Sequence, residues 1–230
     1  MKSREETTNA AAEAEGGGRM SDAAYERILE LLFDRRLPAG AFVSQSELVQ
    51  LTGIPVAPLR DALRVLQAEG VLAIQPRSGI QFVKPGLELT KSTYQFRTII
   101  EQAAVRIFAE IADDESLEML KRNHEALQQV IESDGLSAET VEELEVLEGE
   151  LHNGVVGILS NPLIETSYKR IHNYLRLVRL ERRLTAPLAL RSVREHLAII
   201  NACEARDPDA AEAALLAHFT AALQRHMGLF

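Results

Sequence analysis

The chain has 230 residues, 46% of them hydrophobic, a single cysteine and a net charge of −9 at pH 7. This length and apolar content can supply two hydrophobic cores, the lone cysteine excludes an intrachain disulfide, and arginines interrupt the most apolar runs before they reach the roughly 18 residues of a membrane helix. We therefore expect a soluble, two-domain protein of the reducing cytoplasm, with no signal peptide and no membrane partner.

The charge is distributed unevenly along the chain. Residues 20–85 include seven basic and seven acidic residues, whereas residues 86–230 include 15 basic and 23 acidic residues, a net charge of −8. The second segment therefore has no electrostatic reason to approach a phosphate backbone. The neutral first segment neither proves nor excludes DNA binding.

The sequence of the N-terminal part of the chain indicates a disordered arm followed by three short helices. Residues 1–19 are polar and rich in alanine and glycine, which predicts a disordered arm. Apolar residues then recur at helical spacing, and proline and glycine interrupt them. These signals predict helices at about residues 21–36, 46–52 and 55–68.

Two short runs typical of strands follow the third helix. Val71 to Ile74 and Ile80 to Val83 are separated by a turn at residues 76–79, which predicts a β-hairpin. Three helices followed by a hairpin are the pattern of a winged helix-turn-helix, which we expect over residues 20–84. Pro85 and Gly86 follow directly, and we expect a linker over residues 85–90.

The rest of the chain, residues 91–230, contains no convincing strand. Asp, Gly, Asn and Pro residues divide it into about six helical segments, at roughly residues 90–112, 114–133, 138–160, 162–184, 187–205 and 207–228. The predicted fold class is therefore mainly α, with an N-terminal winged helix-turn-helix followed by an all-α bundle of about six helices.

The third predicted helix and the hairpin turn contain basic residues suited to DNA. In a helix-turn-helix the N-terminal residues of the second helix of the motif meet base edges, while the wing contacts the backbone. Arg60 lies near the start of that helix and can reach guanine O6 and N7, with Arg64 one turn further on. On the turn, Arg77, Ser78 and Gly79 can approach a phosphate. Arg60 could instead be an ordinary solvated arginine, but the complete motif favours DNA contact.

This region resembles the N-terminal domain of the GntR family of bacterial regulators. The resemblance rests on Leu59–Gly70 (LRDALRVLQAEG), on the turn Pro76–Gly79 and on Leu37–Gly40. It implies binding to double-stranded operator DNA. The family usually has Ser-Arg at the mouth of the recognition helix, where this chain has Pro55-Val56, so one typical base-contacting arginine is missing and the operator sequence does not carry over.

Three histidines and one glutamate fall on inward faces of the predicted C-terminal helices. Glu148 and His152 are four residues apart and project to the same side of one helix, and His196 and His218 lie in the apolar stripes of two others. A buried carboxylate is costly unless it is paired or bound to a metal, and imidazole with carboxylate suits zinc, nickel, iron or manganese. The four residues could instead be ordinary core residues, because His124 and His172 also lie near apolar stripes and such histidines often bind no metal.

Motifs in the same region resemble the C-terminal sensor domain of the FadR subfamily of GntR regulators. They are Glu148-x-x-x-His152, Ser160–Leu163, Glu195-His196-x-x-Ile199 and Ala210–Phe219. In many such domains an aspartate and three histidines bind a divalent metal, which implies the same role for Glu148, His152, His196 and His218, with one extra methylene in the carboxylate side chain. Some members lack the metal and bind an acyl thioester, but the three histidines argue against that variant here.

Arginines near these motifs are candidates for binding an anionic ligand. Arg97 stands where the start of the same sensor domain has an inward arginine, which could meet an anion beside the metal; a place on a domain or dimer surface is the alternative. Arg176, Arg179 and Arg183 form a second basic stripe, which we expect to be mainly a solvated or interface face. Of that helix, we expect only Asn173 and Arg176 to line a pocket.

These features predict a ligand-responsive transcription regulator, a homodimeric repressor whose sensor domain binds a divalent metal and a small carboxylate metabolite. The alternative is a metal-dependent hydrolytic enzyme that uses the glutamate and three histidines to activate water. A complete DNA-binding module and the lack of an obvious further general base favour the regulator. A purely structural metal in a dimerisation domain is a third alternative.

Overall fold

The computed structural model describes residues 19–76, 78–180 and 184–228. These residues belong to two compact units, of which the first ends at Pro85 and the second begins at Gly86. The predicted disordered arm lies outside the described residues, except for its last residue, and Arg77 and Arg183 lie outside them too.

The first unit combines three helices with a small sheet in its described part. The elements are α1 (residues 19–33), β1 (Phe42–Val43), α2 (Gln45–Thr52), α3 (Val56–Ala68), β2 (Leu72–Gln75) and β3 (Gly79–Phe82). Strand β3 lies in the middle of the sheet and pairs antiparallel with both β1 and β2. The predicted hairpin is therefore present, whereas β1 was not expected, because two residues are too few to show a period.

Local sequence signals explain the ends of the short helices. Ser44 caps α2, with a reciprocal hydrogen bond between the Glu47 side chain and the Ser44 backbone, and Gly53 ends the helix at a φ of 71°. The core of this unit is formed by apolar side chains from the three helices and the hairpin: Ile28, Leu32, Leu48, Leu59, Leu63, Leu66, Ile80 and Phe82.

The second unit is helical throughout its described residues. The helices are α4 (Leu87–Ile111), α5 (Asp114–Asp134), α6 (Ala138–Gly157), α7 (Pro162–Leu180), α8 (Ala186–Glu204) and α9 (Pro208–Met227). Side chains of Asp113, Ser137 and Asp207 cap α5, α6 and α9. The mainly α architecture expected from the sequence is confirmed.

Helix α4 begins earlier than the predicted linker allows. Its first residue is Leu87, and Thr90 is buried with its hydroxyl donating to the Gly86 carbonyl. Leu87 and Glu88 are exposed, so the buried Thr90 is the residue that anchors this helix start, and its backbone N–H also donates to the Gly86 carbonyl. Only Pro85 and Gly86 of the expected 85–90 linker lie outside the helix.

The core of the second unit brings the inner faces of several helices together. Helix α4 packs against α6, α7, α8 and α9, and α8 also packs against α5. The buried core includes Phe108, Leu151, Val155, Ile200, Leu215 and Phe219. No helix in the described ranges is both long enough and apolar enough to cross a membrane.

Candidate metal centre and nucleic-acid interface

Four predicted site residues meet inside the second unit. Glu148 and His152 come from α6, His196 from α8 and His218 from α9, and one potential ligand atom from each lies within 4.8 Å of the others. We call this group the Glu–His cluster. Its histidines are buried because each lies on the apolar face by which its helix joins the core.

His152 is oriented by a buried carboxylate from α4. Its Nδ1 lies 2.5 Å from Oε2 of Glu101, so Nδ1 donates the hydrogen bond. Oε1 of Glu101 accepts from Arg97 Nε and from the Tyr168 hydroxyl, each at 2.6 Å. Burial favours a raised pKa for Glu101, but Arg97 and His152 outweigh it and lower that pKa to about 2. Glu101 is therefore ionised and accepts hydrogen bonds from three side chains.

His218 is oriented in the same way by Glu195 of α8. Its Nδ1 donates to Oε2 of Glu195 over 2.9 Å, and Arg225 pairs with both carboxylate oxygens at 2.7 Å. Burial alone favours a raised pKa for Glu195, yet the bonds from His218 and Arg225 lower it to about 2. Burial lowers the pKa of His218 to about 4 despite Glu195, so this imidazole is neutral near pH 7.

His196 has a histidine, not a carboxylate, beside its Nδ1. That atom lies 3.3 Å from Nε2 of His124, a buried residue of α5. Burial, followed by the neighbouring His218 and His152, lowers the pKa of His196 well below its ordinary value. All three imidazoles of the cluster therefore favour the neutral form that a metal ligand needs.

In each of the three histidines Nδ1 has a hydrogen-bond partner, whereas Nε2 has none in the described part of the chain. Nε2 of His152, His196 and His218 is buried and has no hydrogen-bond partner among the residues that the structure describes. A buried polar atom without a partner is costly. Imidazoles whose other nitrogen bonds to a carboxylate or a further acceptor are typical of metal ligands. The donor set thus fits a divalent metal ion.

Two arginines stand beside the cluster. Arg179 donates to Oε1 of Glu148, and Nη1 of Arg97 lies 3.9 Å from the same oxygen. Arg97 is 1% exposed, its guanidinium lies 4.5 Å from the Phe219 ring centre, and its Nη1 has no hydrogen-bond partner in the described part of the chain. Arg97 therefore presents a buried donor next to Glu148.

The basic stripe of α7 differs from its prediction at one position. Arg179 was expected on a solvated or interface face, but its guanidinium contacts the buried Glu148, so that expectation is wrong. The contact arises because α7 packs against α4 beside the cluster. Asn173 is buried and Arg176 is half-buried on the same helix, and their predicted role in ligand binding stays a prediction.

Several residues around the cluster were missed from the sequence. Glu101 lies one helical turn after Arg97, a spacing that signals an ion pair and could have identified it. Glu195 directly precedes His196 in the motif Glu195-His196-x-x-Ile199, and this position could have identified it. Nothing local points to Tyr168, because its hydroxyl meets Glu101 only when α7 packs on α4.

A pocket of about 310 Å³ opens between α6 and α7. Tyr168, Lys169 and His172 line it from α7, and Asn153 and Gly157 line it from α6. Since the Tyr168 hydroxyl donates to Glu101, the wall of this pocket is one hydrogen bond away from the carboxylate that orients His152.

The residues predicted to contact DNA lie on the first unit. Arg60 and Arg64 are exposed on α3, and Arg64 pairs with Asp61 at 3.1 Å on the surface. Ser78 is exposed at the hairpin turn. Gly79 has a φ of 133°, and a Cβ there would lie 2.8 Å from the Val43 carbonyl oxygen. The fold alone thus requires glycine at position 79.

The chain thus has the two-unit architecture of a DNA-binding regulator, with a winged helix in the first unit and a helical second unit that contains a buried polar cluster. Residues 20–82 match the model of the bacterial regulatory proteins of the gntR family, and residues 92–221 match the FCD domain. The chain belongs to the GntR family of transcription regulators with an FCD domain. Both matched domains are those of a regulator, not of an enzyme.

Known proteins share this organisation over most of the chain. The HTH-type transcriptional regulator YdhC of Bacillus subtilis is 23% identical over 195 residues, 85% of either chain. The structure of E. coli McbR/YncC has a TM-score of 0.75 at 16% identity and covers 91% of this chain and 97% of its own. The zinc-bound FCD domain of TM0439 has a TM-score of 0.50 at 22% identity, over 62% of this chain and 94% of its own. The structural likenesses reflect a common fold.

Proposed function

We propose that this chain is a FadR-type repressor that acts in the cytoplasm and releases its operator in response to a small carboxylate metabolite. The proposal is carried by one observation: three imidazole nitrogens and one arginine nitrogen are buried without a hydrogen-bond partner, within the described residues, around a single carboxylate. Such a group of polar atoms is suited to a ligand rather than to a packed core.

Glu148, His152, His196 and His218 would hold a divalent metal ion. Neutral imidazoles with one carboxylate suit zinc, nickel and manganese. The existence of a zinc-bound FCD domain in TM0439 supports zinc as the first ion to try. When bound, the cation supplies a positive charge to which a carboxylate can be attracted.

Arg97 is the residue that would orient the organic acid. Its Nε is already held by Glu101, which leaves Nη1 free to donate within a space where Phe219 and the surrounding helices limit access to water. A charge-assisted hydrogen bond in such a place is stronger than one in water. Asn173 and Arg176 of α7 are proposed to line the remaining part of the ligand site.

Binding to double-stranded DNA is assigned to the first unit. Arg60 and Arg64 are proposed to enter the major groove with α3, because both are exposed while the leucines of that helix are buried. Arg77, Ser78 and Gly79 are proposed to contact the phosphate backbone from the wing. The effector changes DNA affinity only if it binds the DNA-competent and DNA-incompetent arrangements unequally.

We also infer a homodimer, whose two-fold symmetry would match a two-fold operator. Ile99, Ile107 and Ile111 lie on one face of α4, and Ile99 and Ile111 are 67% and 62% exposed. Light scattering should give about twice the chain mass of 25.5 kDa. Ile99→Glu should weaken the dimer, and Val146→Glu, at an exposed position of α6, is the matched control.

An electrophoretic shift assay on the DNA flanking its own gene, with zinc-loaded protein and a panel of organic acids, tests the function. We expect a specific complex that one or more acids dissociate. His218→Ala should lose most of the metal and of the acid response while still shifting the DNA, because the winged helix has its own core. Wild-type protein that cannot be loaded with zinc, nickel or manganese would refute the metal site.

A further inference from the structure

We propose that His124 is a positioning residue of the metal centre, which holds His196 in the tautomer whose Nε2 lone pair faces the Glu–His cluster. This inference rests on the metal site proposed above. His124 is fully buried on α5, which packs directly against the helix that carries His196. Both of its ring nitrogens have partners.

The first step is the proton on His124. Its Nδ1 lies 2.7 Å from the backbone carbonyl oxygen of Leu120. A carbonyl oxygen can only accept, so Nδ1 must be the donor and must bear the hydrogen. In a neutral imidazole the other nitrogen, Nε2, then presents a lone pair.

The second step transfers this constraint to His196. Its Nδ1 lies 3.3 Å from Nε2 of His124 and must therefore donate to that lone pair. Nε2 of His196 is consequently left without a hydrogen, and it is the buried atom that belongs to the cluster. If His124 were doubly protonated, its Nε2 would donate, and the hydrogen of His196 would move to the atom that should bind the metal.

The choice of a histidine for this role has an electrostatic reason. His152 and His218 are oriented by Glu101 and Glu195, and each of those carboxylates is balanced by its own arginine. A third carboxylate beside His196 would add another buried charge, which is costly unless a further cation accompanies it. A neutral imidazole orients His196 without that charge.

Nitrogen-15 NMR of histidine-labelled, metal-free full-length protein at pH 7.5 tests the tautomer directly. We expect wild-type His196 to bear its hydrogen on Nδ1. In His124→Leu the acceptor is gone, so the hydrogen of His196 should shift towards Nε2. A wild-type His196 protonated at Nε2 would overturn the proposal, and this measurement on wild type does not depend on any variant folding.

Zinc affinity, measured by competition with a chromophoric chelator, tests the consequence. His124→Leu should weaken zinc binding by about 10- to 100-fold, the usual cost of losing such a partner. His124→Gln should retain most of the affinity, because its amide oxygen can accept from His196. Leu127→Ala, at a fully buried position one turn further along α5, is the control that lowers stability without touching the histidines.

The two measurements separate the two proposals. Equal losses of zinc affinity in His124→Leu and Leu127→Ala would reduce His124 to a core residue and overturn the inference. If wild-type protein bound no zinc while His196 still had its hydrogen on Nδ1, the metal site would fail and the tautomer assignment would stand.

Discussion

The two units place the side chains that we propose to be functional in opposite environments. In the first unit Arg60 and Arg64 are exposed on α3, and the core beneath them is apolar. In the second unit Arg97 and Glu101 are 1% and 0% exposed and bond directly to each other in the interior.

This difference decides how function and stability are related in each unit. An exposed arginine contributes little to folding, so its replacement should weaken only the proposed binding to DNA. A buried ion pair is different, because removing one partner leaves the other charge desolvated and uncompensated. In the second unit, therefore, the residues proposed to orient a ligand should also stabilise the bundle.

The largest effect is expected from Glu101→Ala. It leaves Arg97 buried without its acceptor and removes the partners of His152 and Tyr168, so the free energy of unfolding should fall by about 3–5 kcal/mol. Chemical denaturation of the full chain, followed by circular dichroism, measures it. Glu88→Ala, an exposed carboxylate on the same helix, is the control and should change stability by less than about 0.5 kcal/mol. A similarly small loss for Glu101→Ala would show that the buried charges of the second unit do not stabilise it.

Acid should affect the second unit through its histidines. The pKa of His218 is about 4 in the folded protein against 6.5 ordinarily. Between these values the unfolded chain binds more protons, so stability should fall as pH drops through this window, by up to about 3 kcal/mol for this group. For the same reason zinc affinity should persist below pH 6.5 and fall towards pH 4. Half-loss of zinc binding at pH 6.5 would show that the imidazoles are not shielded by burial.

Arg60→Ala tests the exposed side of the comparison. It should weaken operator binding by about 1–3 kcal/mol and relax the base preference at one position of each half-site. Fluorescence anisotropy on operator variants measures this, and the unfolding free energy should stay unchanged, since the side chain is exposed. Arg77→Ala should weaken binding more uniformly across sequences. Unchanged affinity and specificity for Arg60→Ala would show that the recognition helix is placed wrongly.

The smallest effect is expected from Tyr168→Phe. This change removes one of the three donors to Glu101 and keeps the ring that lines the pocket between α6 and α7. A hydrogen bond to a charged group contributes about 1.5–3 kcal/mol to stability, and we expect a loss at the lower end of that range because Arg97 and His152 still bond to Glu101. A thermal melt beside an effector titration would reveal whether the pocket wall also influences the ligand response; a melt identical to wild type would contradict the bond to Glu101.

The sequence determined the features that depend on local spacing. Helical periodicity indicated the helices of the second unit, and the same periodicity turned Glu148, His152, His196 and His218 inward, where the structure brings them together. The helix–turn–hairpin order likewise predicted the winged helix. These features are local because a side chain's direction along a helix follows from its position in the turn.

Only the tertiary structure decided which partners meet. Glu101 orients His152 across 51 positions of sequence, His124 meets His196 across 72, and Arg179 reaches Glu148 across 31. The period of a helix states which face is buried, but not which neighbouring helix covers that face or at what height along its axis. The pairing of β1 with β3 has the same origin, because a two-residue strand exists only through the strand beside it.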